Sequence, residues 1–308
     1  MPYEKIVLSG KGYISTEALS LLSEHNRNVI LLDTFGKPVT FLNPVMESLT
    51  ATRYRIGQYD TFRDPQKREY LARQIVKAKL ESQIRFLKMT ENPDVLDAIQ
   101  KLESYRSDLD NISTPIQNEA KTSHIYFRAF ARLIPEKYGF RSRNQSFLTI
   151  RKNHATDVIN ALLNYGYAVL AGEISKFING VGLDAYYGFY HKSHTGFQPL
   201  VYDMMEPFRW LVEYSVWKLC HPNQRFQPKL KEIAHTREGL VVIEYDLIRR
   251  FLELLERTFQ KERRYEFRHG LKTIDGLKSV QEITIAKIAI QNLTDYCIGK
   301  IHNFILRY

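Results

Sequence analysis

The sequence is poor in cysteine. Only Cys220 and Cys297 occur among 308 residues. They give no disulfide framework and no Cys-x-x-Cys zinc pair, which fits a reducing interior, and the expected location is cytoplasmic. Long apolar runs are also missing. No stretch approaches the 18 residues of a membrane-spanning helix. The opening MPYEKIVLSG lacks the basic-then-apolar pattern of a secretory signal. There is no internal repeat and no low-complexity segment. Acid is in deficit: 34 Asp and Glu face 44 Lys and Arg, a formal net charge of +10. That balance favours a polyanionic partner, either nucleic acid or an anionic membrane surface. Hydrophobic residues make up 44% of the chain, enough to bury a sizeable core.

The first 45 residues differ from the rest. Lys5 to Ser9 and Asn28 to Asp33 are short, β-branched apolar runs that predict strands. Between them Thr16 to Glu24 has helical spacing, with Ser15 as N-cap. Phe35 to Pro38 reads as a turn and Val39 to Leu42 as another strand. After about residue 60 helical signals dominate. Asp64-Pro65 opens a helix to about Met89, with Leu71, Ile75, Ala78, Ser82 and Phe86 on one face. Asn92-Pro93 opens another, and Ser113, Thr114 and Pro115 a third. Residues 156–179 form a fourth, ended by Gly180. Further helices are expected over 207–220, 227–235, 241–260 and 281–306. The fold class is therefore α+β: a small N-terminal β-rich domain, residues 1–58, followed by a large all-α domain, residues 59–308.

Several acids and a histidine stand out. Glu119, Ser123, Tyr126, Phe130 and Leu133 fall on one helical stripe. An acid early in a helix is often only a partner of the helix dipole. On a stripe so aromatic and apolar, however, Glu119 points inward, where a carboxylate needs a partner. His191 follows Gly188-Phe189-Tyr190. His191 and His194 form an H-x-x-H pair with no second pair of soft ligands to support zinc. Asp203 and Glu206 are three apart and share a helical face. Pro207 disfavours helical geometry at Glu206, which places that acid at a helix entrance or a kink. One Glu, one His and one or two further acids make a mixed oxygen and nitrogen donor set suited to Mn²⁺ or Mg²⁺. In a basic protein such a set points to phosphodiester chemistry. The plain alternatives are a capping acid at Glu119, a hydrogen-bonded surface histidine and an acidic first turn at 203–206.

Basic clusters supply candidate DNA contacts. Arg141, Arg143, Arg151 and Lys152 lie among Tyr138, Phe140 and Phe147. Arg249, Arg250, Arg263 and Arg264 belong to a second group that includes the run KERRYEFR. Phosphate contacts of this kind give salt-dependent, largely sequence-independent affinity. A solvated helix face explains either cluster equally well. LSGKG (residues 8–12) lacks the spacing and the Ser/Thr ending of a phosphate loop and is set aside.

These segments together resemble the CRISPR adaptation integrase family, the metal-dependent DNA endonucleases that insert new spacers. Ile6 to Leu42 resembles part of its N-terminal β-domain, and QNEAKTSHIYF (117–127) its glutamate motif. DVINALLNYGYAVL (157–170) resembles its Asn-Ala-Leu-Leu helix. Gly188-Phe189-Tyr190-His191 and DMMEPFR (203–209) resemble its histidine and acid motifs. The resemblance implies that Glu119, His191 and Glu206 hold Mn²⁺ or Mg²⁺, with Asp203 in support and His194 a bystander. Glu206 stands where some members have Asp. The resemblance further implies a homodimer formed through the β-domain, a small partner subunit with a ferredoxin-like fold, and branched double-stranded DNA as substrate. The chemistry would be attack of a DNA 3′-hydroxyl on a phosphodiester, without ATP. Family members begin with a strand hairpin before the segment matching Lys5 to Ser9, and here it is expected to be absent. Two other readings stand beside this one. A mobile-element DNA integrase of the same fold would act outside CRISPR; such proteins often carry an added DNA-binding domain, for which no room is expected after Tyr308. A DNA-binding scaffold without catalysis would be expected to have lost a ligand. The loop Lys192 to Gln198 is a further candidate DNA contact.

Overall fold

The computed structural model describes residues 5–43, 51–108, 115–143, 155–192, 197–222, 226–237, 239–269 and 272–308. The N-terminal part runs β1 (Lys5–Ser9), α1 (Thr16–Glu24), β2 (Asn28–Leu32) and β3 (Pro38–Leu42). Ser15 caps α1 by accepting from the Ala18 N–H at 3.2 Å. β1 lies parallel to β2, with Val7 opposite Ile30. A parallel pair needs a crossover connection, and α1 supplies it. β3 returns antiparallel, with Phe41 opposite Ile30.

The chain continues through α2 (Ala51–Arg63), α3 (Pro65–Met89), α4 (Leu96–Asp108), α5 (Pro115–Arg132), α6 (Val158–Val181), α7 (Pro199–Met205) and α8 (Arg209–Cys220). Then follow β4 (Ile233–His235), β5 (Val241–Ile243), α9 (Tyr245–Phe259), β6 (Glu262–His269), β7 (Lys272–Gln281) and α10 (Glu282–Cys297). α6 is the centre of the helical part. It is apolar nearly all round, and such a helix must be buried on every side. Val158 to Ser175 is almost entirely buried. Its N-cap Asp157 accepts from the Asn160 N–H at 2.8 Å. Its end is Gly182, whose φ of 88° puts it in the left-handed region, where glycine pays no Cβ penalty. Gly180 stays inside the helix, two residues short of the true stop. The β-sheet leans on α6: a Cβ at Gly172 would strike the buried Ile30. Lys5 joins the two parts further, reaching Glu173 of α6 at 3.3 Å and Glu256 of α9 at 2.6 Å.

The helical part is not all-α. β4 pairs with β5 and β6 with β7, each as a two-stranded antiparallel ribbon. Residues 227–235, expected as helix, form a short 3-10 turn and then β4. The expected helix at 241 begins instead with β5, whose Val241, Val242 and Ile243 suit a strand. The run KERRYEFR is mostly strand β6, with Tyr265 buried and Arg264 exposed, rather than a helix face. The last helix stops at Cys297, well before 306.

The boundary placed at residue 58 falls inside α2, a helix that local pattern hides. Its buried positions are the polar Gln58 and Thr61. Gln58 has a purpose there. Its side chain donates to the carbonyls of Asp184 and Tyr187 at 2.8 Å each and accepts from the Asp184 N–H at 2.8 Å. It thereby clamps the loop that leads to His191. Among the described residues, no helix is long and apolar enough to cross a membrane.

Candidate metal centre

Four pieces of chain meet beside α6: the middle of α3, the start of α5, the loop 188–191, and the break between α7 and α8. Pro207 causes that break. It has no N–H to give and crowds the preceding turn, so a single 3-10 turn, Glu206–Phe208, separates the two helices. Asp203 therefore serves the loop while Glu206 faces α3 and Arg209.

Asp203 is fully buried. Its carboxylate accepts the backbone N–H groups of Phe189 (2.5 Å), Tyr190 (3.0 Å) and His191 (2.9 Å). Three successive N–H groups wrapped on one anion form a nest. The same carboxylate lies 2.8 Å from Nδ1 of His191. An imidazole that donates from Nδ1 to a carboxylate presents Nε2 as an acceptor, the usual arrangement behind a metal-bound histidine. Gly188 is needed for this approach. A Cβ there would come within 2.6 Å of the Pro199 side chain and 2.8 Å of Asp203 Oδ2.

Glu206 is buried. Its Oε1 lies 3.1 Å from the Arg209 guanidinium and 3.9 Å from His191 Nε2, and its Oε2 lies 2.7 Å from the Lys79 ammonium. The ammonium also contacts Glu119 Oε1. Ser123 donates to that oxygen at 2.8 Å. Burial alone would raise the pKa of Glu206. The positive charges of Arg209 and Lys79 outweigh it and hold the carboxyl at about 2. Burial also opposes ionisation of Glu119, and Lys79 with Ser123 brings its pKa below the ordinary value. Burial and the surrounding carboxylates raise the pKa of the Tyr190 phenol.

A layer below holds Arg209. Its guanidinium stacks 4.0 Å over the Tyr167 ring. Glu213, buried one helical turn on, accepts from the hydroxyls of Tyr126 and of Tyr167, the latter at 2.7 Å. A groove of about 690 Å³ opens beside His191, lined in part by Phe62, Arg68, Tyr186, Tyr187 and Lys192.

Glu119, His191, Asp203 and Glu206 thus come together, as the sequence suggests. Yet among the described residues no group of three or more His, Cys, Asp or Glu side chains is clustered as for a metal. The reason is Lys79, whose ammonium is interposed between Glu119 and Glu206. The donor chemistry still fits a divalent ion. Two carboxylates already share one cation, and Nε2 of His191 is turned toward Glu206.

Lys79, Arg209 and Glu213 escape the sequence reading. A signal for Lys79 exists: it sits four after Ile75 and three before Ser82, a charge on an otherwise buried stripe. Glu213 is likewise an acid within an apolar helix.

The proposed DNA contacts divide. Arg143 turns inward, donating to the side-chain oxygens of Asn160 and Asn164 at 2.7 Å each, beside Tyr167. Its work there is to pin α6. Arg250 pairs with Glu232 and Arg263 with Glu282, both at 2.9 Å. Arg249 pairs with Glu253 at 2.9 Å on the surface. Arg141 and Arg264 are exposed. Arg151, Lys152 and residues 193–196 lie outside the described residues.

The family model for "CRISPR associated protein Cas1" matches residues 2–257. The chain belongs to the Cas1 family. It is 33% identical over 239 residues to CRISPR-associated protein Cas1 3 of Methanobrevibacter ruminantium, covering 72% of this chain and 68% of that one. It is 30% identical over 225 residues to CRISPR-associated endonuclease Cas1 1 of Archaeoglobus fulgidus, covering 67% of this chain and 64% of that relative. Among solved structures it resembles a casposase bound to an integration product, with a TM-score of 0.85 and 25% identity over 99% of this chain and 81% of that one. It also shares the fold of a Cas1 protein from Thermotoga maritima, at a TM-score of 0.76 and 17% identity over 98% and 88% of the two chains.

Proposed function

We propose that this Cas1 chain is a metal-dependent DNA endonuclease and integrase of CRISPR adaptation. One observation carries the reading. Glu119 and Glu206 share a single cationic position, and His191 Nε2 faces Glu206 from an imidazole anchored at Nδ1 by Asp203. Glu119, Glu206 and His191 would hold Mn²⁺ or Mg²⁺. Such an ion, when bound, polarises a phosphoryl oxygen and activates a hydroxyl nucleophile. Asp203 fixes the imidazole tautomer, and Gly188 lets the loop close on Asp203. Arg209 keeps Glu206 ionised and directed into the site. The groove beside His191, with Arg68, Lys192 and two exposed tyrosines, offers phosphate contacts and stacking surfaces to a DNA strand.

The reaction is a transesterification. A DNA 3′-hydroxyl forms the new P–O bond, the old P–O bond breaks, and the proton passes to the released oxygen. The number of phosphodiesters is unchanged, so no ATP is needed. Homodimerisation through the N-terminal domain and a small ferredoxin-like partner subunit belong to the same reading. A second reading, a mobile-element integrase acting outside CRISPR, is favoured by the likeness to the casposase. It uses the same chemistry on a different target.

The test is a disintegration assay on branched DNA with Mn²⁺, Mg²⁺ or EDTA. Wild type should release the joined strand with either metal and not with EDTA, and Glu119→Ala should be inactive with every addition. Branched DNA that is bound but never processed would favour the scaffold instead.

A further inference from the structure

We propose that Lys79 is a built-in occupant of the metal position, an ammonium that a divalent ion must displace before the centre can form. The inference rests on the metal reading above. Its starting point is charge. Glu119 and Glu206 carry two negative charges, and Lys79 and Arg209 offset them in contact. Asp203 and His191 form their own pair behind. A dication entering this balanced site meets two resident cations, and like charges a few ångströms apart in a buried site repel strongly.

The two cations are not equally free to leave. The Arg209 guanidinium is stacked on Tyr167 and faces Glu213 from the layer below. Lys79 hangs on four methylenes from the wall of α3. Its ammonium lies against the two carboxylates that a metal needs. The same ammonium lies 2.7 Å from Glu206 Oε2, so a single side chain swinging away frees both carboxylates at once. The metal-free centre is held together by the group that blocks it. Lys79 keeps Glu119 and Glu206 converging and sets the threshold at which metal replaces it.

The inference is tested by Mn²⁺ titration of the full chain, read by the electron paramagnetic resonance of the free aquo ion. Wild type, Lys79→Met, Lys79→Gln, Lys79→Arg and Glu119→Ala are compared, with circular dichroism to check folding. Removing the charge should tighten Mn²⁺ binding about tenfold or more. Met and Gln should behave alike, because charge and not hydrogen bonding is the cause, while Arg stays near wild type. Glu119→Ala should bind far more weakly. If wild type binds Mn²⁺ through Glu119 and the neutral variants bind no more tightly, Lys79 is not the competitor and only this inference fails. If neither wild type nor the neutral variants bind, the metal reading fails and takes the inference with it. Misfolding of Lys79→Met leaves Lys79→Gln to decide.

Discussion

Nδ1 of His191 lies 2.8 Å from Oδ1 of Asp203, and the same carboxylate holds the backbone N–H groups of residues 189 to 191. One buried acid thus sets both the path of the loop and the tautomer of its histidine. Asp203→Asn should separate these duties. The amide retains one acceptor oxygen but no longer enforces an Nδ1–H tautomer. Mn²⁺ affinity and strand transfer should each fall by about 10–100-fold, the usual cost of losing such a partner, with the fold retained. Calorimetric metal titration beside a melting curve checks this, and unaltered metal affinity would remove Asp203 from the account.

Gly188→Ala should act at a distance from any ligand. The added methyl has to push against Pro199 and Asp203 Oδ2. Overpacking of this kind costs about 1–3 kcal/mol. It should lower the melting temperature modestly and reduce activity much more, because the displaced group carries His191. Activity at the wild-type level would show that the loop tolerates the shift.

The acid limb of stability should report the two carboxylates in metal-free protein. Glu206 and Glu119 titrate below their ordinary value in the folded state. Their contribution is full above the unfolded pKa of about 4.3. That of Glu206 is lost as pH falls toward about 2, and that of Glu119 is likewise lost as pH falls through its lowered pKa. Glu213 has the opposite sign. Burial, against the hydrogen bonds of Tyr126 and Tyr167, raises its pKa, so it favours folding below the unfolded value and loses that contribution as pH rises. Urea denaturation in steps from pH 5 to 2 should show a shallower loss for Glu206→Gln than for wild type. Equal slopes would mean that Lys79 and Arg209 do not hold Glu206 ionised.

Glu213→Ala strands two buried tyrosine hydroxyls and leaves Arg209 without the acid beneath it. Each unpaired buried polar group costs about 1–3 kcal/mol, so the variant should lose several kcal/mol. Denaturant unfolding measures the loss. Adding Tyr126→Phe should recover part of it, since one orphan hydroxyl is then removed. No recovery would show that the cost is a cavity.

Much of this was legible in the sequence, and the failures share a cause. Local pattern reported what one element does alone. The stripe from Glu119 to Leu133 did predict an inward acid, and Pro207 did mark the kink at Glu206. The β1–α1–β2–β3 order followed from β-branched runs around a capped helix. What escaped depended on partners far along the chain. Gln58 is polar, yet it lies on the buried side of α2 because the loop at 184–187 takes its hydrogen bonds. Lys79 sits on a buried stripe because two acids from other elements meet it there. Arg143 looked like a surface base and is an anchor for α6. The basic run at 261–268 carries no mark of strand until β7 lies beside it.

The central claim is that Glu119, His191 and Glu206 hold one divalent ion. A crystal soaked in Mn²⁺ and measured for anomalous scattering tests it most directly. The account predicts a single peak about 2.1 Å from His191 Nε2 and from a carboxylate oxygen of each glutamate, with the Lys79 ammonium moved aside. Saturating Mn²⁺ with no peak there, and Lys79 still between the two carboxylates, would contradict it.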